Sequence, residues 1–307
     1  MTSSAIEAAA TAREGWISGI VTERGPLVAI IAIIVVLWYL AALLMNAGMV
    51  RDRFEREDTA YTFGDVIAGT MNADRPVVPA PHQVAENLFD SVFGYPPDSP
   101  RSLVYHSWVT LSATLAGFAM GSLFGILLAV MIVHARTLEK SLLPWVIASQ
   151  MVPILAIAPI IIVVLGAIGI RGLLPKSIIS AYLCFFPITI GMVKGLTSPD
   201  PIQLDLMRTW SASKFQVFLK LRWPSSIPFL FTSLKVAATI SLVGAIVGEL
   251  PTGAQAGIGA RLLTGSYYGQ TVQIWAALFA AAIMAAAMVG VIDWIGRVTE
   301  HRMGAPR

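Results

Sequence analysis

An all-α, polytopic transmembrane helix bundle of about six spans is the fold class this sequence predicts, and three observations lead there. Of 307 residues, 56% are hydrophobic and only 13% charged, whereas a soluble domain of this size carries roughly a quarter charged residues. Mean hydropathy is +0.73. Six apolar runs, near 27–50, 103–133, 142–170, 173–196, 226–248 and 272–296, are each long enough to cross the roughly 30 Å of a bilayer's hydrocarbon core. The net charge of +3 is too small, and its basic residues too little interleaved with aromatics, to suggest a nucleic-acid partner. The single cysteine, Cys184, lies in an apolar run, which excludes an intrachain disulfide and reads as a core position.

Taken in order, residues 1–26 mix small and polar residues with Ile6, Trp16, Ile17 and Ile20. They read as a cytoplasmic tail or an interfacial helix. The run 27–50 is longer than the apolar core of a signal peptide, and no small-residue cleavage site follows it. It is expected to persist as the first transmembrane helix. Residues 51–102 form the only long polar stretch and are expected on the outer side. Pro76, Pro79, Pro81, Pro96, Pro97 and Pro100 argue against continuous regular structure there, although Pro79 to Phe89 reads as a turn entering a short amphipathic helix. This segment either meets a substrate-delivering protein or caps the bundle.

In the second span Gly117, Gly121 and Gly125 recur every four residues, a pattern that lets another helix backbone approach closely. The third run holds Pro144, Pro153 and Pro159, which should kink or break it. A break beside a translocation path is the functional reading, because transport folds use discontinuous helices in this way; a plain kink is the alternative. Pro153, Pro159, Phe186 of the Phe185-Phe186-Pro187 segment, and Glu249 are the candidate path residues. Glu249 falls at the outer end of the fifth span, where it closes a gate, stays solvated or serves structure, the last being favoured. Lys235 in the same span is expected to snorkel to the headgroups. Gly253, Gly257 and Gly259 lack the phosphate-loop pattern and read as a tight outer turn. At the inner end of the last span Asp293 and Arg297 are spaced to pair.

An even number of spans puts both termini on one side. With them inside, thirteen of the 21 Lys and Arg residues are cytoplasmic and eight outside, a modest bias. Arg51, Arg53 and Arg56, directly after the first span, argue the other way.

Between the fourth and fifth spans lies a basic, aromatic island, DLMRTWSASKFQVFLKLRWP from Asp205 to Pro224. Asp200 as N-cap, Pro201 at the first helical position and Gln203 three residues past the cap predict a helix over about 201–210. Leu206 and Trp210 share one of its faces. A second helix is expected from near Ser213, with Gln216 three residues on, ending before Pro224. Two short helices exposing apolar side chains outside the membrane suit docking into a partner's groove.

This island resembles the EAA loop of ABC importer permeases of the binding-protein-dependent class, whose pattern is Glu-Ala-Ala, three residues, Gly, nine residues, Ile, one residue, Leu, Pro. Asp205, Leu206 and Met207 fall on the triplet, Ser211 on the Gly, Leu221 on the Ile, Trp223 on the Leu and Pro224 on the Pro. The spacing is complete and only Pro224 is identical. The span order, Glu249-Leu250 and the Gly257-Ile258-Gly259 turn are similar to the taurine, nitrate and sulfonate permease group. The FFP segment and the LKVAAT…GAIVGE run look as much like permeases for thiamine-precursor pyrimidines or riboflavin.

The resemblance implies a MetI-like permease fold with its transmembrane core over 103–298 and a short tail over 299–307. It also implies a cytoplasmic coupling loop over 197–225, in which Asp205, Leu206, Met207, Arg208, Trp210, Ser211, Lys214, Leu221 and Pro224 meet the ATPase. The implied partners are ABC ATPase subunits, an extracytoplasmic substrate-binding protein, a second copy of the chain and the bilayer of the plasma membrane, with both termini cytoplasmic. Since the usual Gly is Ser211 here, a left-handed turn would cost roughly 1–2 kcal/mol, and Ser211 could cap the second helix instead.

No enzymatic site is signalled. His82, His106, His134 and His301 show no metal-ligand spacing, no Walker pattern occurs, and neither cofactor nor metal is expected. The spans carry essentially no deep ionisable residue of the kind that drives secondary transport. Energy must then come from a partner chain; the alternative is a self-contained channel or facilitator.

Overall fold

The computed structural model describes residues 3–251 and 256–303, with side-chain surroundings from residue 25 onward, Arg136 apart. Every regular element among the described residues is helical. The chain divides into two compact units, Met1–Asn87 with Gly269–Trp275, and Leu88–Tyr268 with Ala276–Arg307.

In the first unit α1 (Ser3–Arg56) runs unbroken through Pro26. It therefore extends past both ends of the expected 27–50 helix, and the side-chain environment of the expected interfacial segment lies outside the described residues. Arg53 and Arg56 close its last turn, where cations suit the helix dipole. Between Leu27 and Leu40 its side chains are almost all exposed, as a lipid-facing helix requires. Farther along it becomes a clamp for the proline-rich strap behind it. Asn46 is fully buried; its amide donates to Val78 O at 2.8 Å and its oxygen accepts from Val77 N at 2.7 Å. Trp38 Nε1 donates to Pro79 O at 2.9 Å, and Thr271 donates to Pro76 O at 2.5 Å. A strap short of N–H groups cannot satisfy itself, so side chains of neighbouring helices do.

The outer segment holds more helix than its prolines suggest. Alongside the expected α3 (Pro81–Phe93) stands α2 (Phe63–Met71). Thr62 and Asp65 start α2 as a reciprocal capping box, a signal present in the sequence. Hydrogen bonds from Thr62 hold the Asp65 carboxyl below its usual range. That contribution to α2 is present above the ordinary carboxylate pKa and is lost as pH falls through the lowered value.

The second unit is built around α7 (Leu173–Leu196), packed between α4 (Leu103–His134) and α10 (Trp223–Glu249). The glycine stripe of α4 makes the first contact. A Cβ at Gly121 would strike Cys184 Sγ and come within 2.8 Å of Ala181 O; one at Gly125 would meet Phe185 O at 2.7 Å. Cys184 is accordingly a wholly buried core residue. Hydroxyls then bridge the three backbones: Ser180 donates to Ser241 O at 2.8 Å, and Ser241 donates to Thr114 O at 3.0 Å. Close approach and hydroxyl bridging are how spans adhere where lipid removes the hydrophobic drive between helices.

The third apolar run is not one straight span. It consists of α5 (Arg136–Ser149) and α6 (Ile154–Ala167), bent by 94° at the break. Pro153 is the N-cap of α6, and the missing N–H costs nothing there; Pro144 and Pro159 lie inside their helices without ending them. Tyr182 ties the break to α7 by donating to Ser149 O. After the loop helices α8 (Pro201–Thr209) and α9 (Lys214–Val217) come α10, α11 (Ile258–Tyr267) and α12 (Thr271–Arg302). Five of the described helices are long and apolar enough to span a membrane, or six if the bent pair counts as one.

Gly121→Val should destabilise the detergent-solubilised protein by about 1–3 kcal/mol through overpacking. Gly166→Ala, at a position with open space, should not. Thermal unfolding of both variants checks this.

Candidate functional site

Two constructions stand out in the second unit: the exposed loop between α7 and α10, and a buried polar cluster at the other end of α10.

The loop begins as its sequence dictates. Asp200 Oδ1 accepts from Ile202 N at 2.8 Å, Gln203 reaches back to Asp200 N, and Pro201 occupies the first turn of α8. Ile202, Leu206 and Trp210 follow at i, i+4 and i+8, and are 77%, 52% and 75% exposed. That is a continuous apolar ridge facing away from the protein. Met207 is half-buried on the flank. Asp205 and Arg208 pair with each other at 2.8 Å on the surface, where such a pair adds little stability.

The turn after α8 is a Schellman motif: Ala212 N donates to Met207 O at 3.0 Å and Ser211 N to Arg208 O at 2.9 Å. Ser211 sits at φ 54°, the left-handed conformation for which Gly is the usual choice. Capping the second helix falls instead to Ser213, which forms a reciprocal box with Gln216 ahead of α9. Lys214 and Phe215 are exposed beside it.

Pro224 does not end this helix, contrary to expectation. Phe218–Arg222 form a π-helical turn in which Trp223 N donates to Phe218 O, and α10 continues through Pro224. The wider turn removes the need for a Pro224 N–H and relieves its ring against the carbonyl of Lys220. Leu221 is half-buried there and Pro224 exposed.

The second construction surrounds Glu249, which is fully buried and not solvated. Its carboxylate accepts from Gly259 N at 2.9 Å, inside the first turn of α11, and from the Thr110 hydroxyl at 2.9 Å. Lys176 Nζ lies 3.4 Å away and also donates to Ala256 O at 3.1 Å. Thr110 Oγ1 in turn accepts from Ile258 N at 2.8 Å. His106 Nδ1 lies 3.0 Å from Gly257 N and 3.1 Å from Gly257 O, and its Nε2 lies 2.9 Å from Pro100 O, so the ring ties the start of α4 to the turn before α11. Gly257 has φ 124°, and any Cβ on it would collide with the Glu249 carboxylate. The expected outer turn is thus a helix N-terminus capped by a buried carboxylate; Gly253 lies outside the described residues.

Of the other path candidates, Pro153 and Pro159 are exposed on α6, and Phe186 packs against the cluster of Leu128, Val146 and Phe185. They do not join Glu249 in one site. The Lys235 ammonium donates to Asp293 Oδ1 at 2.8 Å, and Asp293 also pairs with Arg297 as its spacing predicts. No local signal reveals the Glu249 partners, since Thr110 lies 139 positions away and Lys176 73. Among the described residues no group of His, Cys, Asp or Glu could hold a metal.

Residues 121–305, which include all of the loop and Glu249, match the family model described as binding-protein-dependent transport system inner membrane component. The chain belongs to this family. It is a multi-pass membrane protein of the ABC transporter permease type, a transport subunit rather than an enzyme. It is 29% identical over 219 residues to a probable ABC transporter permease protein of Haemophilus influenzae, covering 71% of this chain and 84% of the relative. It is 31% identical to the formylaminopyrimidine transport permease protein ThiX of Halalkalibacterium halodurans, over 63% of this chain and 72% of that one. A third relative is the riboflavin transport system permease protein RibX of Chloroflexus aurantiacus, 29% identical over 68% and 74% of the two chains.

Two substitutions probe these constructions. Ser211→Gly should relieve the left-handed strain by about 1 kcal/mol and slow hydrogen exchange of the α8 amides about fivefold, whereas Ser211→Val should speed it. Glu249→Leu strands the Lys176 ammonium and the Gly259 N–H, and should cost about 3–5 kcal/mol in thermal unfolding experiments.

Proposed function

We propose that this permease is the membrane subunit of an ATP-driven importer, and that α8 is the helix through which ATPase subunits drive it. The observation that carries this reading is the exposed ridge of Ile202, Leu206 and Trp210, backed by the exposed Phe215 and Leu219. Apolar side chains at helical spacing on a surface outside the membrane need a groove to enter, and a tryptophan at the end of the ridge is a usual anchor. Met207, Arg208 and Lys214 flank the contact, while Leu221 and Pro224 fix the junction through which α8 pulls on α10.

In this reading the chain works as a homodimer in the plasma membrane, with both termini and α8 on the cytoplasmic side. A binding protein delivers solute to the outer face. The solute is a small heterocycle of the pyrimidine or riboflavin type, as the printed names of two relatives suggest, or a small anion of the nitrate or sulfonate kind. Closure of the ATPases on ATP rocks α8 and, through the continuous α9–α10 junction, the span behind it.

Trp210→Ala and Asp205→Arg should leave insertion in the membrane unchanged while weakening the ATPase contact about 30-fold or more, the scale of an anchor residue, and abolishing ATP-driven uptake. Uptake at the normal rate in both variants would rule out the docking role. Solute flux through the purified chain alone in liposomes would point to a facilitator.

A further inference from the structure

The helix α6 has little to hold it in place. It leaves α5 at 94° and buries a single residue, Ala158. Its sequence, ILAIAPIIIVVLGA, contains no hydroxyl, amide or charged side chain, so it cannot join the hydroxyl bridges that link α7 with α10 and α4. Close approach does not replace them, because Gly166 has no atom within 4 Å of where a Cβ would stand. One stripe of α6, Ile160, Ile161, Val164 and Leu165, is turned toward Ile178 of α7. Between the two helices lies a crevice of about 290 Å³ lined by these five aliphatic side chains.

Composition decides what fills this crevice. Water does not enter a space without polar partners. A second copy would have to bind through small residues or hydroxyls, the means by which helices associate in a bilayer, and the stripe offers neither. Branched aliphatic side chains on every side are what a helix in contact with lipid presents. An independent observation concerns the end of α7 away from the 197–225 loop. Ile178 lies about 8 Å along α7 from its first residue, Leu173. Next to that end, Ile170 N donates to Leu165 O at 2.8 Å and Gly169 N, at φ 82°, donates to Gly166 O at 3.1 Å, which closes α6. Arg171 follows directly and is exposed. Among the described residues no carboxylate pairs with it, and the first turn of α7 has no acidic residue. An unpaired cation thus stands at the end of the span, with the apolar crevice deeper along it. A phospholipid has its phosphate and its acyl chains in the same order.

We propose that the crevice between α6 and α7 is a site for one anionic phospholipid. An acyl chain fills it against Ile161, Val164, Leu165 and Ile178, and the headgroup phosphate pairs with the Arg171 guanidinium, whose planar fork suits phosphate oxygens. The lipid supplies the packing that α6 lacks and holds it against α7. The bilayer that the spans require provides this ligand, so the site stands whether or not the chain works with an ATPase.

The test uses the full chain purified in detergent, with native mass spectrometry reading the occupancy of the first bound lipid as phosphatidylglycerol or phosphatidylcholine is added. The chain should prefer phosphatidylglycerol by about fivefold, the scale of one basic residue near an anionic headgroup. Arg171→Gln should remove that preference. Val164→Trp fills the crevice and should weaken uptake of both lipids by about tenfold or more, as displacing two methylenes would. Val163→Trp, exposed on α6 but outside the crevice lining, should change neither affinity. Ile160→Phe takes the place of Val164→Trp if that variant fails to fold. Uptake that neither crevice variant weakens would overturn the proposal. Loss of a dimer in Val164→Trp with lipid uptake intact would give the crevice to a second copy instead. A preference that survives Arg171→Gln would overturn the headgroup assignment. Release of phosphatidylglycerol by millimolar inorganic phosphate would assign Arg171 to a free anion and overturn it as well.

Discussion

Inside a bilayer every polar group must find its partner within the protein, and the arrangement of this chain follows from that demand. Its clearest expression is Glu249. A carboxylate with no exposed surface is tolerable because one N–H of α11, the Thr110 hydroxyl and the Lys176 ammonium converge on it. In satisfying itself it ties α4, α7 and α10 to the start of α11. The hydroxyl chain from Ser180 through Ser241 to Thr114 does the same in mid-bundle at smaller stakes. Glycine makes both possible by letting backbones come close enough for short side chains to reach across.

The junction at 205–224 is shaped by a different pressure, since it must reverse the chain between two long apolar helices. A Schellman turn at Ser211 and a fresh capping box at Ser213 reverse the chain within a few residues. The π-turn before Pro224 then joins the loop to α10 without a break. A helical connection of this kind transmits displacement where a flexible linker would absorb it. The strained serine and the π-turn both lie where backbone geometry bears on the proposed mechanical role.

Much of the loop was legible because caps are local. Asp200 with Gln203, and Ser213 with Gln216, announce helix starts through side chains three residues apart. The left-handed turn at Ser211 was half legible: the spacing pointed to it, while the residue type argued against it until the capping hydrogen bonds at Met207 and Arg208 outweighed the penalty. The end expected at Pro224 did not occur because a proline rule written for α-helices does not hold across a π-turn. The helix α2 was missed beneath the proline count, although Thr62 and Asp65 signalled it.

Composition and hydropathy by themselves determined that this chain is a bundle of about six membrane spans, and local capping and spacing determined the exposed two-helix loop. Both follow from short-range rules: how much apolar length a bilayer needs and which side chains can satisfy a helix end. Only the tertiary structure decided that Glu249 is buried and bonded, that Lys235 pairs with Asp293, and that the third apolar run bends by 94°. A polar group in a span takes whichever partner packing brings within reach, and those partners lie tens to more than a hundred residues away along the chain.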